Sequence, residues 1–524
     1  MILTNLMSQL RKRPRQYIAY YEGAALKRKT FGELADDVAR TVSQLESGGV
    51  TSGMHVGILS HNSYEWLVYD LAILQLRAVC VALPVDHFAA SPLEEVASRY
   101  GLHLLLVGKS LLKTQPPWVC TMDLSARDGI TLRSVSEEEP QQLGPDLLSL
   151  VFSSGTSGRL KCLMMSRRGT EAFIARFGHD FAFRSDDAIL AFLPLSTVQQ
   201  RWMLYTAIHY GFNLHLTTPV RLFHALTDMR PTMIGAAPLL YETVEARYLQ
   251  LSAKKRIVLD AARRVVRRLP SRLRGPVGRI VFKPFHDAFG GRLRFALAGA
   301  APIRRTTLEF FESIGLPLYT AYGLTETGFL SWNMPNGNRM GSVGKQVYPN
   351  TLELAPDGEI LFRPSTPLAY GYLDVDPEEA AKTFVAPGLI ATGDIGRFDA
   401  DGYLYIDGRK KDIIVTPGGY KLQPEDLERK IEDHAMVSRA VVLGGGDLPC
   451  VTALVSTREQ SDDRDVKAIR RQIEEINKQL PPPSRIGKVV FTAEQFSIAS
   501  GLLNRNLKVD RNKVAARFQS ELGR

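Results

Sequence analysis

LVFSSGTSGRLK, residues 150–161, sets an apolar run against a sudden crowd of small hydroxyl residues and glycines. Leu150, Val151 and Phe152 read as part of a buried strand. Gly155 and Gly158 permit a tight turn and a close approach of main chain to a ligand, while Ser153, Ser154, Thr156 and Ser157 offer hydroxyl donors. Lys161 adds a mobile positive charge just behind them. The stretch is not a Walker A loop, because GxxxxGK[ST] is absent. Its physics is related: a strand delivers a glycine-rich turn to an anion. Ser/Gly turns that bind nothing are common, so the company this one keeps decides.

Working outward, apolar runs alternate with amphipathic stretches from about residue 30 to 330. HVGILS, AVCVALP, HLLLVG, LSLVFSS, AILAFLPL, NLHLTT, TMIGAAP and RLRFALAGA read as buried strands. TFGELADDVARTVSQLESGG, SYEWLVYDLAILQLR and RTTLEFFESIG read as helices between them. This alternation predicts an α/β architecture of mostly parallel sheets flanked by helices. After residue 330, Gly, Pro and Asp punctuate short strands such as GEILFR and GYLYIDGR, predicting a smaller antiparallel, β-barrel-like part. From residue 409 the order strand, helix, strand, strand, helix, strand predicts a small α+β domain. The division expected is 1–408 for the large domain and 409–524 for the small one.

The chain has 524 residues, 45% hydrophobic and 23% charged, which suits a globular protein with more than one domain and argues against disorder. No uninterrupted apolar run approaches the ~20 residues needed to span a bilayer. MILTNLMSQLRKRPRQ, apolar first and basic after, is the reverse of a secretory signal, so a cytoplasmic location is expected. Cys80, Cys120, Cys162 and Cys450 lie far apart, without a CxxC pair, and predict neither a disulfide framework nor a zinc site. The net charge of +10 raises the question of nucleic acid, but no recognised nucleic-acid-binding module accompanies it. Part of the excess sits in KKRIVLDAARRVVRRLPSRLRG, where Ile257, Val258, Ala261, Val265 and Leu269 recur at helical spacing. A surface helix with a solvated basic face is expected there, with peripheral contact to a membrane or an acidic protein as the alternative.

Two further segments stand downstream: AYGLTETG, residues 321–328, and ATGDIGRFDADGYLYIDGRKKDIIVTPGGYKLQPEDLE, residues 391–428. With the first stretch, in this order, they make the chain resemble the adenylate-forming superfamily of acyl-CoA synthetases, luciferases and peptide-synthetase adenylation domains. The resemblance runs from TFGELADDVARTVSQLESGGV to LLNRNLKVDRNKV, nearly the whole chain. It implies that a carboxylate and ATP form an acyl-adenylate and pyrophosphate, and that a thiol then displaces AMP. Such chemistry crowds anionic oxygens around one phosphorus, so positioning and charge stabilisation carry it.

The resemblance also implies roles. Residues Ser153 to Lys161 would cradle the β- and γ-phosphates, Thr325 would bond the α-phosphate, and Glu326 would help hold Mg²⁺, a hard ion that prefers oxygen ligands. Gly299, Ala300, Ala301 and Pro302 would line the adenine pocket, with Tyr322 and Gly323 against the base. Asp394 would accept the ribose hydroxyls, a task suited to one carboxylate, and Arg409 would contact the ribose. Lys508, in NLKVDRNKV, would reach the substrate carboxylate and the α-phosphate, and Lys411 falls where the superfamily places its hinge. Each residue also has a plainer reading: a helix cap for Thr325 and Glu326, a strand-to-helix turn for the GAAP segment, an ion pair for Asp394 and Arg409, a solvated tail for Lys508.

LPLSTVQQR, residues 193–201, is similar to the LPLxHxxxR segment of long-chain fatty acyl-CoA synthetases. Amino-acid-activating relatives supply an aspartate near here for the ammonium group, and residues 195–204 contain no acid, which disfavours an α-amino acid. Thr197, Val198 and Trp202 are the candidates for the acyl pocket, with core packing as the alternative. Leu160 replaces the usual proline, Cys162 a glycine, Arg167 a histidine, and Thr197 the histidine of LPLxHxxxR. The residues assigned to ATP are spared, so ATP chemistry is expected to survive, whereas acyl specificity is where these changes bear. The acceptor expected is coenzyme A. The phosphopantetheine arm of an acidic acyl carrier protein, which the positive charge would steer, stays open, as does an amine. A scaffold without turnover is disfavoured by Lys161, Glu326 and Lys508. A homodimer, as found among relatives, also stays open.

Overall fold

Runs of Val, Leu, Ile and Ala with no polar interruption suit strands buried on both faces, and all eight such runs form strands. The computed structural model describes the chain apart from residues 112–115, 126–129, 137, 141–142, 155–159, 417–419, 446–447, 449, 459–460, 498–499, 504–508 and 524, and the side chains of Ser154 and Ser271.

One sheet runs, in spatial order, Ala369–Tyr372, Leu160–Ser166, Leu147–Ser154, Val79–Leu83, His55–Leu59, Leu102–Val107 and Val119–Thr121. It is parallel from Leu147–Ser154 onward and antiparallel where that strand folds back as Leu160–Ser166. The second sheet orders Lys345–Gln346, Gly328–Trp332, Leu318–Leu324, Phe295–Ala298, Met233–Ala236, Ala188–Ala191, Asn213–Leu216, Tyr17–Glu22 and Ala25–Thr30. Its middle is parallel and its two ends are antiparallel. The hairpin Tyr17–Thr30 is a finding that the sequence reading, which begins near residue 30, does not foresee.

The helices explain how the two sheets share a core. Thr30 opens helix Phe31–Ser47 with a capping box, its hydroxyl accepting from Glu33 N while the Glu33 carboxylate accepts from Thr30 N. Ser63 caps Tyr64–Gln75 by accepting from Trp66 N at 3.1 Å. Tyr64–Gln75 and Val198–Tyr210 are buried almost all round and belong to one core with residues of both sheets. Two charges lie inside that core. Arg201 and Asp70 are 1% and 0% exposed, and Arg201 Nη2 meets Asp70 Oδ1 at 2.6 Å. Tyr205 donates to the other Asp70 oxygen at 2.5 Å, and Arg201 Nη1 donates to Ser149 Oγ at 2.7 Å. Ser149 in turn donates to Cys80 O at 2.5 Å, so the network ties two helices to two neighbouring strands.

Between residues 350 and 410 the strands of the next sheet pair antiparallel, as the punctuation predicts. Leu352–Leu354, Glu359–Phe362, Leu389–Phe398 and Phe384–Ala386 pair in that order, and Leu404–Arg409 joins Leu389–Phe398. Further on, Val437–Leu443, Val451–Thr457 and Ile486–Thr492 form a separate sheet, and helices Pro424–Glu432 and Asp463–Lys478 share its core. This small unit docks on the large one through Arg304, which is 8% exposed. Arg304 donates to the main-chain carbonyls of Val437, at 3.3 Å, and Ser438. Arg439 reaches Glu242 of the large unit at 3.9 Å and Glu432 of its own at 3.6 Å.

The basic segment is helical, over Ala253–Arg268, with an exposed basic face as expected, but the apolar stripe it buries is not the one the sequence spacing picks out. Val266 is its one buried residue, with Leu259 and Ala262 packed beside it, while Ile257, Val258 and Val265 face outward.

A buried pair that loses one partner leaves an uncompensated charge, so Arg201→Met and Asp70→Asn are each expected to lower unfolding free energy by about 3–5 kcal/mol. The double change Asp70→Leu/Arg201→Met, which removes both charges, is expected to cost less than either. Urea unfolding followed by tryptophan fluorescence measures this. Single variants within 1 kcal/mol of the parent, roughly the scale of an exposed pair, would remove the network from its structural role.

Candidate active site

The strands on either side of the glycine-rich stretch pair with each other in antiparallel fashion. Leu147–Ser154 pairs with Leu160–Ser166 so that Ser153 opposes Lys161. Gly155, Thr156, Ser157 and Gly158 lie outside the described residues, and Ser154 is described by its backbone alone. Ser153 is buried. Lys161 is described fully: its Nζ donates to Glu379 Oε1 at 2.9 Å and lies 5.1 Å from the Tyr372 ring centroid. The hydrogen bond from Lys161, aided by one from Lys382, holds the Glu379 carboxyl down at about 2.

A second hairpin meets the first. Leu318–Leu324 turns through Thr325, Glu326 and Thr327 into Gly328–Trp332. Thr327 Oγ1 accepts from Leu324 N at 3.2 Å and holds the turn. Gly323 and Gly328 are required here: a Cβ on Gly323 would lie 1.9 Å from Gly328 O, and Gly328 has φ +67°. The turn presents Glu326, whose Oε1 accepts from Tyr372 at 2.9 Å. Tyr372 thus bridges the two hairpins, with Lys161 over its ring and Glu326 at its hydroxyl. Burial first, then the Glu326 charge, pushes the Tyr372 phenol well above its ordinary range, so it remains a donor.

At the base of the second hairpin, Tyr322 donates to Asp394 Oδ2 at 2.7 Å. Arg409 Nε lies 2.7 Å from Asp394 Oδ1, and the two residues are direct cross-strand partners. Asp394 is 3% exposed. Burial, then the Asp394 charge, raises Tyr322 far above an ordinary phenol. The GAAP segment follows strand Phe295–Ala298, and a Cβ on Gly299 would approach Ala321 O to 3.2 Å, so this turn lies against the strand that carries Tyr322. Ala300 holds φ +69°, a strained value for a residue with a side chain, of the kind found where a turn is fixed by its surroundings. Ala301 and Pro302 continue to helix Arg305–Ser313.

The acyl candidates fall differently. Thr197 stands before helix Val198–Tyr210, its hydroxyl donating to Pro194 O at 2.6 Å. Val198 and Trp202 are buried in the core, and Trp202 packs on Phe173 with ring centroids 4.6 Å apart and beneath Gly328. Trp202 therefore supports the turn that presents Glu326, and its buried indole N–H has no hydrogen-bond partner among the described residues. Of the other departures, Cys162 is a buried thiol packed among apolar side chains, and Arg167 donates to the carbonyls of Leu147 and Ala78, each at 3.2 Å. Both act inside the sheet.

Lys508 lies outside the described residues, but its flanks do not. Leu503 and Val509 bridge to each other, and Arg511 forks onto Glu428 at 2.6 and 2.8 Å. Arg511 also stands 4.0 Å from Asp412. Lys411 is exposed in the turn Lys410–Asp412, with Lys410 bound to Asp357 at 2.8 Å and Glu359 at 2.6 Å. The chain is thus tied to the large unit just before Lys411 and to the small unit just after it.

Tyr372 and Glu379 are members of this constellation that the sequence reading omits, as it does the docking residue Arg304. Tyr372 and Glu379 arrive because strand Ala369–Tyr372 crosses back to join the first sheet, a long-range pairing that no local spacing announces. Among the described residues no group of three or more His, Cys, Asp or Glu side chains is arranged around a common metal position. One carboxylate such as Glu326, completed by substrate phosphates, is nevertheless an arrangement that Mg²⁺ accepts.

Residues 6–361 match the AMP-binding enzyme family, and residues 411–523 match the AMP-binding enzyme C-terminal domain. The long-chain-fatty-acid–CoA ligase FadD15 of Mycobacterium bovis is 29% identical, over 94% of this chain and 91% of that protein. The long-chain-fatty-acid–CoA ligase ACSBG2 of Gallus gallus is 26% identical, over 89% of this chain and 70% of that one. Among solved structures, the anthranilate CoA ligase AuaEII in complex with anthranoyl-AMP superimposes with a TM-score of 0.73 at 19% identity, over 98% of this chain and 96% of that one. The amide bond synthetase McbA from Marinactinospora thermotolerans gives 0.72 at 20% identity, over 98% and 99%. The chain belongs to the AMP-binding enzyme family, within the adenylate-forming superfamily, and it resembles the fatty acyl-CoA synthetases.

Proposed function

We infer that the chain couples ATP to the activation of a fatty or related carboxylic acid and passes the acyl group to coenzyme A. One observation carries this reading furthest. A single hairpin, Leu318–Trp332, brings Tyr322 to Asp394 and Glu326 to Tyr372, with Lys161 over the Tyr372 ring. Carboxylate, lysine and hydroxyl groups suited to a nucleoside triphosphate therefore converge on one turn.

In this reading Asp394 accepts hydrogen bonds from the ribose hydroxyls, exchanging its bonds from Tyr322 and Arg409 for those from the sugar. Gly299 to Pro302 with Tyr322 and Gly323 bound the adenine. Thr325 donates to the α-phosphate. Ser153 to Gly158 and Lys161 cradle the β- and γ-phosphates, the lysine leaving Glu379 to do so. Mg²⁺ held by Glu326 would supply charge neutralisation at the phosphate oxygens. Lys508 brings the substrate carboxylate and the α-phosphate together. A carboxylate oxygen bonds to the α-phosphorus, the bond to the bridging oxygen breaks, and pyrophosphate departs with the electron pair. The small domain, residues 409–524, then turns about Lys411 relative to residues 1–408, and a thiolate sulfur bonds to the acyl carbon as AMP leaves. The ties on either side of Lys411 suit such a hinge. ATP and coenzyme A as co-substrates go with a cytoplasmic setting.

The test is to supply ATP, Mg²⁺ and a panel of carboxylic acids and to follow pyrophosphate and AMP. Coenzyme A, holo carrier protein and simple amines are then offered separately, and the products identified by mass. Thioester with coenzyme A and a fatty acid is expected; thioester confined to carrier protein, or amide alone, would replace that acceptor. Lys508→Ala is expected to abolish adenylate formation while sparing thioester formation from a supplied acyl-adenylate, and equal loss in both steps would overturn its role. Glu379→Gln frees Lys161 from a partly exposed ion pair, so the KM for ATP is expected to fall about two- to fivefold with kcat unchanged. An unchanged or higher KM would mean that Lys161 is not held back by Glu379.

A further inference from the structure

The helix Ala253–Arg268 and its successor Ser271–Val281 carry a surface that the ligase chemistry does not use. Helices on a globular surface bury their apolar stripe. Ala253–Arg268 turns Leu259, Ala262 and Val266 to the core, and a second apolar set points away from the protein: Ile257, Val258 and Val265 are 70%, 68% and 60% exposed, and Ile280 on the second helix is 79% exposed. At 100° per residue Lys254, Arg264 and Arg268 fall on the same outward arc as Ile257, Ala261 and Val265, so cations and apolar groups interleave. Residues 253–281 hold ten Lys or Arg and one acid, Asp260. That acid is engaged with Arg263 at 3.0 Å and with the Tyr248 hydroxyl. Lys254, Arg264, Arg268, Arg272 and Arg279 form no ion pair with a described residue. Beside the second helix a cavity of about 610 Å³ is lined by Arg184, Arg272 and Arg279 together with the ion-paired Arg274, Arg294 and Arg339.

A solvated surface has no use for exposed isoleucine and valine, and a buried protein interface of ordinary composition has no use for so many uncompensated cations. A bilayer surface satisfies both at once: the apolar side chains enter the acyl boundary while the guanidinium and ammonium groups meet anionic headgroups. No helix among the described residues is long and apolar enough to cross a membrane, so the contact is one of lying on the surface. We propose that helices Ala253–Arg268 and Ser271–Val281 form a docking face for an anionic lipid bilayer, and that the arginine-lined cavity beside them receives a headgroup phosphate. This does not depend on which acid the chain activates.

Flotation of the full chain with vesicles tests it. Phosphatidylcholine mixed with phosphatidylglycerol is expected to carry the protein to the top of the gradient, and phosphatidylcholine alone is not. The triple change Ile257→Glu, Val258→Glu, Val265→Glu is expected to reduce the bound fraction at least ~tenfold. Arg264→Gln/Arg268→Gln is expected to reduce it by roughly fivefold for each cation removed. All five positions are exposed, and an unchanged thermal melt shows that the variants are folded. Inorganic phosphate is the competitor for the cavity: if it weakens anionic-vesicle binding of the parent and not of Arg272→Gln/Arg279→Gln, the cavity takes a phosphate group. Equal flotation with neutral vesicles, flotation unaffected by the triple change, or no flotation at all would overturn the proposal. So would variants that lose self-association or carrier-protein capture while still floating as the parent does.

Discussion

A charge pair sealed inside the large unit sets the conditions for everything at its surface. Asp70 and Arg201 are taken out of water, and each is compensated only because Tyr205 and Ser149 complete its hydrogen bonds. Ser149 lies on the strand Leu147–Ser154, so the strand that leads to the glycine-rich stretch has its register fixed from below. The energetic logic is one of specification: burying ions adds little net stability but penalises any arrangement that separates them. The arginine of LPLSTVQQR is therefore a positioning residue, and its helix also delivers Trp202 beneath the turn that carries Glu326.

The site built on that base joins segments that are remote in sequence. The two hairpins come from different sheets and are bridged by Tyr372, which belongs to a strand between two later elements. Lys161 rests on a carboxylate and an aromatic face, and Asp394 on a phenol and a guanidinium. Each group thus has a protein partner that a nucleotide can displace, which keeps a charged pocket from paying the full cost of unmet charge.

What could be read beforehand follows from the range of the interactions. Strands such as His55–Leu59 and helices such as Phe31–Ser47 announce themselves, because burial on both faces and a capping box are local properties. The motif residues Lys161, Glu326, Asp394 and Arg409 were legible by resemblance, and their roles remain to be measured. Tyr372, Glu379 and Arg304 were not legible, since each depends on a contact far along the chain, 46 residues away for Tyr372 and Glu326, 133 for Arg304 and Val437, and 218 for Glu379 and Lys161. Periodicity found the helix at Ala253–Arg268 and its solvated basic face, yet Ile257, Val258 and Val265 face outward, because spacing reports which residues share a stripe and is silent on what the stripe faces. Trp202 shows the same limit: an apolar side chain beside a substrate motif packs in the core.

Arg304 grips the small unit by two backbone oxygens, those of residues 437 and 438, and its Nε stands 3.8 Å from the Glu432 carboxylate. At positions 437 and 438 the clasp reads the path of the polypeptide and ignores its lettering. Sequence drift at those two positions is then nearly neutral for docking as long as the ribbon keeps its course. At those two positions the joint is tolerant of exchange in a way that a side-chain clasp would not be, and small domains from related ligases could be grafted onto this body where they keep the acid at 432 and the arginine at 439.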